Sequence, residues 1–387
     1  MEKINIIQII TRLDKGGSSK IVLELAKFLN RQDYLVKIIS GLTKDPQEDL
    51  DRFSSQTGIQ IIFINQLRRN PNPFLDLISF FRLYSVLKKE RPQIVHTHTS
   101  KAGILGRWAA RLAGVHIVVH MPHGHIFYGY FGRLKTDLFI FLEKLTAYIT
   151  DKIVTLTEIG KNEHIKFGIA KDNKFISIHN GIELDKNLNI KVDKSAKREE
   201  LHFLEEDYLV TMVGRLEPVK GHIYFWEAMK EIIRQFPQAK ALIVGDGSLK
   251  KELENAARKL NIFNVVNFLG EREDVIEIIS ISDLIALPSL NEGFGLVLLE
   301  AGILGKPVVA TKVGGIPEVV LDKITGILVP PKDSYALAEA IIGLLKDREL
   351  YNDMAKEAKK WVLENFSSDL MLSKFKNLYD DLLSQER

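Results

Sequence analysis

Two glutamates eight positions apart, Glu292 and Glu300, form the most informative spacing in this chain of 387 residues. The first lies in the glycine-rich stretch Asn291-Glu292-Gly293-Phe294-Gly295, and the second lies in the apolar run that follows. A glycine-rich turn ahead of a helix exposes backbone N–H groups and the positive end of the helix dipole, which bind anions such as a diphosphate. Carboxylates only accept hydrogen bonds, so they suit the vicinal hydroxyls of a sugar or ribose. The segment indicates a nucleotide site; the alternative is a solvated loop glutamate followed by an ordinary helical one.

A cationic loop is the second candidate. In Val213-Gly214-Arg215-Leu216-Glu217-Pro218-Val219-Lys220-Gly221, Arg215 and Lys220 follow a predicted strand and are therefore expected at its carboxyl end. The planar fork of an arginine and the point charge of a lysine could together neutralise a diphosphate. The spacing differs from that of the P-loop motif. The alternative interpretation is a solvated cationic loop.

A pair of glycines directly follows the first predicted strand. In Arg12-Leu13-Asp14-Lys15-Gly16-Gly17-Ser18, Gly16 and Gly17 would let the backbone approach a phosphate at the start of the next helix. The stretch is not the dinucleotide fingerprint Gly-x-Gly-x-x-Gly. A plain tight turn therefore remains open as the alternative.

Histidines are concentrated at two predicted strand ends. The segments from His96 to Lys101 and from His120 to His125 hold five of the ten histidines of the chain. The sequence lacks the tetrahedral Cys/His spacing of a structural zinc site, and neutral histidines also form hydrogen bonds with sugar hydroxyls. We favour the second role. The Asp-x-Asp pair of Asp49 and Asp51 lies in a polar stretch with helical character and is explained by a solvated helix face, so no metal site is predicted.

The elements that must position these residues alternate along the chain. Short β-branched runs are followed by segments of helical length, which is typical of parallel sheets covered by helices on both faces. A chain of 387 residues exceeds the size of one ordinary core, so two domains are expected. The predicted fold class is α/β, with two doubly wound parallel-sheet domains facing across a cleft. The predicted strands are residues 4–10, 35–40, 60–64, 93–96, 117–120 and 152–156, then 209–213, 241–244, 265–269, 284–286 and 307–310.

The boundary between the two domains is predicted after the turn His179-Asn180-Gly181, because Asn-Gly favours a turn and the following segment is rich in charge. The first domain is predicted over residues 1–181, a linker region over 182–207 and the second domain over 208–365. Residues 366–387 are predicted as a C-terminal helix, with a return to the first domain as one option. Ligands of open parallel sheets collect at the carboxyl ends of the strands, so the cleft is the expected active site.

Amino-acid composition limits the cellular compartment and the kinds of binding partner that are expected. The chain has no cysteine, no segment typical of a signal peptide and no apolar run long enough to span a bilayer, which predicts a cytoplasmic protein. Its formal charge of +3 divides into +10 over residues 1–180 and −7 over the remainder. Such asymmetry favours an anionic partner for the first half. Because the basic residues are dispersed and no nucleic-acid-binding motif is present, a phosphorylated acceptor or an anionic membrane surface is preferred to nucleic acid.

One predicted helix, over residues 72–91, is rich in Phe and Leu. Arg68 and Arg69 precede it, and three cations lie at its end, namely Lys88, Lys89 and Arg91. Packing on its own sheet is one interpretation. The other is a contact with the inner face of the membrane, where the aromatic segment Phe127-Tyr128-Gly129-Tyr130-Phe131 would line the entrance for an acceptor.

Taken together, these motifs resemble the retaining GT-B glycosyltransferases of family 4, also called glycosyl transferases group 1. The resemblance rests on Glu292-x7-Glu300 combined with Gly214-Arg215-x4-Lys220-Gly221. The segment from His96 to Arg107, followed by His123-Gly124-His125, is similar to that of members that build bacterial polysaccharides. The resemblance implies transfer of a sugar from a nucleotide-diphosphate sugar, with UDP favoured, to a glycan or lipid-linked acceptor. It also implies retention at the anomeric carbon, without a metal or other cofactor.

The resemblance also assigns roles by position. Arg215 and Lys220 would stabilise the leaving diphosphate, while Glu292 would contact the donor sugar and Glu300 the ribose. His123 would lie beside the reacting centre. The remaining substrate-binding positions implied are Gly16 and Gly17 for phosphate, Gly270-Glu271-Arg272 for the base, and Gly214 with Gly293, Phe294 and Gly295 for the donor. Two alternatives remain open, a nucleotide-sugar epimerase of similar fold and a catalytically silent scaffold that binds nucleotide sugar.

Overall fold

A computed structural model of the chain describes residues 3–32, 34–124, 132–184 and 192–385. The chain divides into two compact units. The first consists of Met1–Asn180 together with Met371–Arg387, and the second of Gly181–Leu370. Among the described residues, no helix combines the length and apolar character needed to cross a membrane. The predicted aromatic segment 127–131 and His125 lie outside the described residues.

The first unit is built on a parallel sheet of seven strands in the order β3-β2-β1-β4-β5-β6-β7. Strands β4 and β5 are buried along their whole length, as expected for inner strands of a parallel sheet covered on both faces. The strands are β1 Ile4–Ile10, β2 Tyr34–Gly41, β3 Gln60–Ile64, β4 Ile94–His98, β5 Ile117–Met121, β6 Lys152–Thr155 and β7 Phe175–Ser177.

Helices connect these strands. Local sequence explains several of their starts: Asn72, for example, accepts a hydrogen bond from the Leu75 backbone N–H at 3.1 Å, and Pro73 opens the helix that follows. The helices are Gly17–Asn30, Leu50–Thr57, Pro73–Glu90, Ser100–Ala113, Arg133–Ala147 and Glu158–Lys166. The C-terminal helix Ser368–Gln385 belongs to this unit from Met371 onward, where Phe375 and Tyr379 are fully buried.

The second unit repeats the arrangement with a parallel sheet of six strands in the order β10-β9-β8-β11-β12-β13. The strands are β8 Tyr208–Val213, β9 Ala239–Val244, β10 Val266–Gly270, β11 Leu284–Leu287, β12 Val308–Thr311 and β13 Ile327–Val329. The helices are Lys194–Glu200, His222–Gln235, Lys250–Lys259, Val275–Ile281, Leu296–Ile303, Ile316–Val319, Ser334–Lys346 and Arg348–Asn365.

Both sheets therefore have the strand order of doubly wound folds, and the predicted fold class is confirmed. In such a sheet the chain leaves in opposite directions from two neighbouring central strands. These strands are β1 and β4 in the first unit, and β8 and β11 in the second. Ligands bind at the carboxyl ends of this pair, the switch point of the sheet.

The segment predicted as a linker includes a helix, Lys194–Glu200, that belongs to the second unit. Its sequence is rich in charge, yet Lys197 Nζ lies within 2.8 Å of Asp274 and 2.9 Å of Glu277 on a neighbouring stretch. Residues that follow it, including Phe203, are buried against Leu209 and Ile278. The composition of this segment favoured a linker. In the structure, ion pairs of Lys197 and burial of Phe203 hold it against the second unit.

Candidate active site

Two loops meet at the switch point of the second sheet. Gly214–Gly221 follows β8, and Pro288–Gly295 follows β11, the strand paired with β8. The backbone N–H of Leu290 donates to the carbonyl of Val219 at 2.7 Å, which joins the two loops. This contact places the predicted cationic loop beside the predicted glutamate loop, although they are some seventy residues apart in the sequence.

Gly221 makes the close approach of the loops possible. Its φ is +72°, a left-handed conformation that favours glycine, and a Cβ at this position would lie 2.1 Å from the carbonyl oxygen of Pro288. A side chain would therefore collide with backbone that cannot easily move. Gly221 is required both for the backbone conformation and for the contact between the two loops.

Lys220 and Glu292 form an ion pair between Nζ and Oε2. Both side chains are largely shielded, with exposed fractions of 21% and 16%. The sequence assigned them to different parts of the substrate, the diphosphate and the donor sugar. Because they are in contact, an anion that approaches Lys220 would compete with Glu292 for the same ammonium group.

Arg215 lies at the rim of this pair. Its side chain is 53% exposed, and Nη1 lies 3.0 Å from the carboxylate of Glu217. Sequence reasoning did not single out Glu217. The signal was present, since a carboxylate two residues from an arginine in one loop can orient the guanidinium.

A third loop holds the backbone of Glu292 from behind. The N–H of Gly315 donates to the Glu292 carbonyl at 3.0 Å, and a Cβ on Gly314 would lie 2.0 Å from that oxygen. Sequence reasoning missed both residues. The only local signal is the glycine pair in Val313-Gly314-Gly315, directly after β12.

Glu300 lies about one turn into helix Leu296–Ile303 and is half-buried. Gly293 and Gly295 belong to the loop ahead of this helix, as predicted from the sequence. Phe294 has a different environment, because its side chain is buried and meets the ring of Phe366 at 5.9 Å between centroids. Its side chain therefore packs the base of the loop.

The predicted base-binding stretch lies two strands away from β8, at the end of the edge strand β10. Gly270 accepts a hydrogen bond from Gly245 N–H at 2.7 Å, and Gly214 N–H donates to Val244, so the ends of three strands are aligned. Glu271 is exposed. The guanidinium of Arg272 is engaged by the carboxylates of Asp274 and Glu200, and the hydrogen bond from Arg272 holds the pKa of Asp274 well below its usual range.

His222, at the start of the helix after Gly221, was not identified from the sequence. It is 2% exposed, and neither ring nitrogen has a hydrogen-bond partner within the described part of the chain. Burial, together with the neighbouring charge of Lys220, lowers the pKa of His222 to about 4. A neutral imidazole next to the cationic loop adds no further positive charge to it.

The remaining predicted site residues belong to the first unit. Gly16 and Gly17 are exposed at the start of helix Gly17–Asn30, and the N–H of Gly16 donates to Gln47 Oε1 at 2.8 Å. His123 follows β5, with φ of +58°. Since β1, β4 and β5 are neighbours, these residues share the carboxyl edge of the first sheet.

The histidines around His123 form a connected cluster. His98 Nδ1 lies 2.9 Å from His123 Nε2, and His96 Nδ1 lies 2.6 Å from the hydroxyl of Tyr379. Burial lowers the pKa of both His96 and His123 to about 3. It also lowers the pKa of His98 well below its usual value. The cluster is therefore neutral at physiological pH.

Comparisons with known proteins decide the family. The family Glycosyl transferases group 1 matches residues 193–361, and Glycosyltransferase Family 4 matches residues 15–186. UDP-Gal:alpha-D-GlcNAc-diphosphoundecaprenol alpha-1,3-galactosyltransferase of Escherichia coli is 33% identical to this chain, over 98% of this chain and 97% of its own length. The chain belongs to the family 4 glycosyltransferases.

Two further proteins resemble this family 4 glycosyltransferase along most of their length. The N-acetyl-alpha-D-glucosaminyl L-malate synthase of Bacillus anthracis is 29% identical over 96% of both chains. The crystal structure of Anabaena HepE in complex with UDP-glucose covers 98% of this chain and 100% of its own, with a TM-score of 0.82 and 22% identity. The resemblance predicted from the motifs is confirmed, and the fold is shared with solved glycosyltransferases.

The predicted Asp-x-Asp pair of this glycosyltransferase has a structural role at Asp49. Asp49 Oδ1 accepts hydrogen bonds from Asp51 N–H at 3.1 Å and Arg52 N–H at 3.0 Å, so it caps a helix. Over the described ranges, no group of three or more metal-ligating side chains is arranged to hold an ion.

Proposed function

We propose that this glycosyltransferase moves a sugar from a UDP-sugar to a lipid-linked glycan acceptor, with retention at the anomeric carbon, in the synthesis of a cell-surface polysaccharide. The observation that carries the proposal is the contact between Lys220 and Glu292 at the switch point of the second sheet, with Arg215 at its rim. The name of the Escherichia coli relative, which includes a UDP-galactose donor and a diphosphoundecaprenol acceptor, supports the choice of nucleotide and acceptor.

The two cations act on the charge that develops during the reaction. Breaking the bond between the anomeric carbon and the phosphate leaves positive charge on the sugar and negative charge on the diphosphate. Arg215 and Lys220 are fixed near the place where the diphosphate is expected, so they stabilise the leaving group without reorganising. This role gives the reaction no need for a metal ion.

In this proposal, Lys220 exchanges its partner Glu292 for the diphosphate when the donor binds. Once a diphosphate neutralises the ammonium group, the carboxylate is released to accept hydrogen bonds from donor-sugar hydroxyls. Ligand binding and orientation of the sugar are thereby coupled through one ion pair. Glu300, in the helix that follows the Glu292 loop, is assigned to the ribose.

His123 serves as a neutral hydrogen-bonding group in this proposal. With its pKa lowered to about 3 by burial, the imidazole carries no charge that would repel a developing positive sugar. It can hold a hydroxyl of the donor beside the reacting centre.

Transfer is tested directly with radiolabelled donors. The acceptor is undecaprenyl-diphosphate-linked N-acetylglucosamine, and the donors are a panel of UDP-sugars and GDP-mannose. We expect label to enter the lipid from a UDP-sugar. We also expect chelation by EDTA to leave the rate unchanged, because the leaving group already has cationic partners. Loss of activity that magnesium restores would contradict the metal-free reaction. Donor converted to an epimer without acceptor would favour an epimerase, and thermal stabilisation by donor without product would favour a silent scaffold.

A surface of the first unit supports the lipid-linked acceptor. Helix Pro73–Glu90 buries Ser79, Leu83 and Leu87, as the packing interpretation predicts, but exposes three large apolar side chains on another side. These are Phe74, Leu77 and Phe81, with exposed fractions of 71%, 56% and 57%. The helix therefore packs on its own unit and still presents an apolar face.

The charges of this helix favour an anionic surface. Its two carboxylates are already paired, Asp76 with Lys101 and Glu90 with Lys37. Its exposed charged side chains are the cations Arg82, Lys88 and Lys89. Apolar side chains flanked by exposed positive charge suit the headgroup region of an anionic bilayer.

Helix Arg133–Ala147 presents a second apolar stripe in the same unit. Its exposed apolar residues and one beyond its end are spaced by four, three, four and three positions, which places them on one side. They are Leu134, Leu138, Phe141, Leu145 and Tyr148. Both stripes belong to the unit whose sequence carries the excess of positive charge.

Binding to vesicles tests this surface. We expect the protein to co-sediment with anionic vesicles at low salt and much less at high salt, since exposed charges are screened within a Debye length of about 10 Å at 0.1 M. Arg68→Glu with Arg69→Glu should weaken binding. The matched control is Lys359→Glu with Lys360→Glu, which makes the same charge change at an exposed pair in the second unit. Equal loss of vesicle binding in both double variants would show that binding depends only on the net charge of the protein. No binding at any salt concentration would favour a soluble acceptor.

A further inference from the structure

Two residues of the C-terminal helix, Tyr379 and Phe375, contact His96 of the histidine cluster in the first unit. Tyr379 is fully buried, and its hydroxyl oxygen lies 2.6 Å from Nδ1 of His96. Phe375, one turn earlier, lies against the same imidazole at 5.7 Å between ring centroids. His96 is thus held by a helix that begins 272 positions later in the sequence.

The ring of His96 also contacts the ring of His98, two positions further along β4. The rings lie on the same face of the sheet, 4.1 Å apart between centroids and tilted by 41°. His98 Nδ1 in turn lies 2.9 Å from His123 Nε2. Three direct contacts therefore connect the hydroxyl of Tyr379 with the ring of His123.

Neutral imidazoles make this connection sensitive to tautomer. Each neutral ring has one donor nitrogen and one acceptor nitrogen, so the partner of one nitrogen decides the state of the other. Burial raises the pKa of Tyr379 well above its usual value, so its hydroxyl keeps its proton. The bond to Tyr379 couples the tautomer of His96 to the direction of the hydroxyl proton, and the bond between His98 and His123 requires one ring to donate and the other to accept.

The backbone of His123 also needs support from its surroundings. A φ of +58° is uncommon for a residue with a side chain and is strained unless its surroundings hold it. Such a conformation persists where neighbouring contacts hold it. The bond from His98 is one of these contacts, and His98 is held in turn by His96.

We propose that Tyr379 is a positioning residue for His123, acting through His96 and His98. The hydroxyl fixes the orientation of the His96 ring, which packs against the ring of His98 and so restrains the orientation of His123. The effect of Tyr379 on the reaction rests on the function proposed above, in which His123 lies at the reacting centre. Its effect on the histidine rings does not.

The chain offers a matched control in Tyr34. Its ring meets that of Tyr379 at 6.3 Å between centroids, and its hydroxyl bonds to Asp380 on the same helix. Tyr34→Phe therefore removes a phenolic hydroxyl and its bond to Asp380 from the same interface. Tyr379→Phe removes one hydroxyl and keeps the packed ring.

The test combines nitrogen-15 NMR of the histidine side chains with kinetics, using the full chain. In Tyr379→Phe we expect the ring nitrogen shifts of His96, His98 and His123 to change, and kcat to fall about tenfold with the donor KM within about twofold. Tyr34→Phe should leave the His123 shifts and kcat as in the unmodified chain. If Tyr379→Phe lowers the yield of folded protein, His96→Asn breaks the next link and should change the His123 shifts in the same way.

The outcomes separate this proposal from the proposed function. Unchanged His98 and His123 shifts in both Tyr379→Phe and His96→Asn would overturn the positioning role, whatever happens to the rate. Changed shifts with an unchanged kcat would support the positioning role and remove His123 from the reacting centre.

Discussion

Lys220→Ala is expected to lower turnover by at least about 100-fold while changing donor affinity far less. In the proposed mechanism the ammonium group acts on negative charge that grows as the diphosphate leaves, and loss of one electrostatic partner of a transition state costs roughly that factor. Arg215→Ala should act in the same direction. Its larger exposure, 53% against 21% for Lys220, predicts the smaller loss, because water screens its charge more.

Steady-state kinetics with the donor varied, together with calorimetric binding of UDP, measures both quantities. Lys230→Ala is the control, since Lys230 is exposed on the helix that follows the same loop. Lys220→Ala also leaves Glu292 without its cation, so Glu292→Gln and the double variant complete a thermodynamic cycle. Turnover equal to that of Lys230→Ala would remove Lys220 from the leaving-group site.

Gly221→Ala is expected to reduce both stability and activity. The left-handed backbone alone costs about 1–3 kcal/mol for a residue with a side chain, and the new Cβ would lie 2.1 Å from the Pro288 carbonyl oxygen. Relief of that collision must separate the loops that carry Lys220 and Glu292. We therefore expect a lower midpoint of denaturant unfolding together with a lower kcat.

Gly343→Ala provides the opposite control. Gly343 lies within helix Ser334–Lys346, and a Cβ there would meet nothing within 4 Å. Replacing such a glycine should stabilise the protein by about 0.4–1 kcal/mol. A Gly221→Ala midpoint that stays unchanged or rises, as is expected for Gly343→Ala, would show that the contact between Gly221 and Pro288 has little energetic weight.

Most of the fold could be predicted because many strands of parallel sheets can be recognised as local apolar runs in the sequence. The eleven predicted strands correspond to observed ones with shifts of one or two residues at their ends. The sheet edges are the exception, since the three-residue strands Phe175–Ser177 and Ile327–Val329 were not predicted. Runs this short give no periodic signal, and pairing with β6 and β12 defines them.

Non-local contacts limited the prediction of the site. Lys220 and Glu292 were each singled out, but their pairing depends on β8 and β11 being neighbours, which no local pattern states. Similarly, the charge-rich stretch around Lys197 gave no sign of a helix anchored to Asp274 and Glu277, whose positions are distant in the sequence. Local chemistry identifies candidate residues, whereas strand order decides which of them meet.

The discontinuity of the first unit has a consequence for biosynthesis. Residues 371–385 emerge from the ribosome only after the whole of the second unit, at a synthesis rate of about 5–20 residues per second. Until then His96 lacks the cover of Phe375 and Tyr379, and the first sheet has an exposed polar cluster. The second unit, continuous from Gly181 to Leu370, can finish folding earlier. The histidine cluster can therefore be covered only after the whole of the second unit has been synthesised.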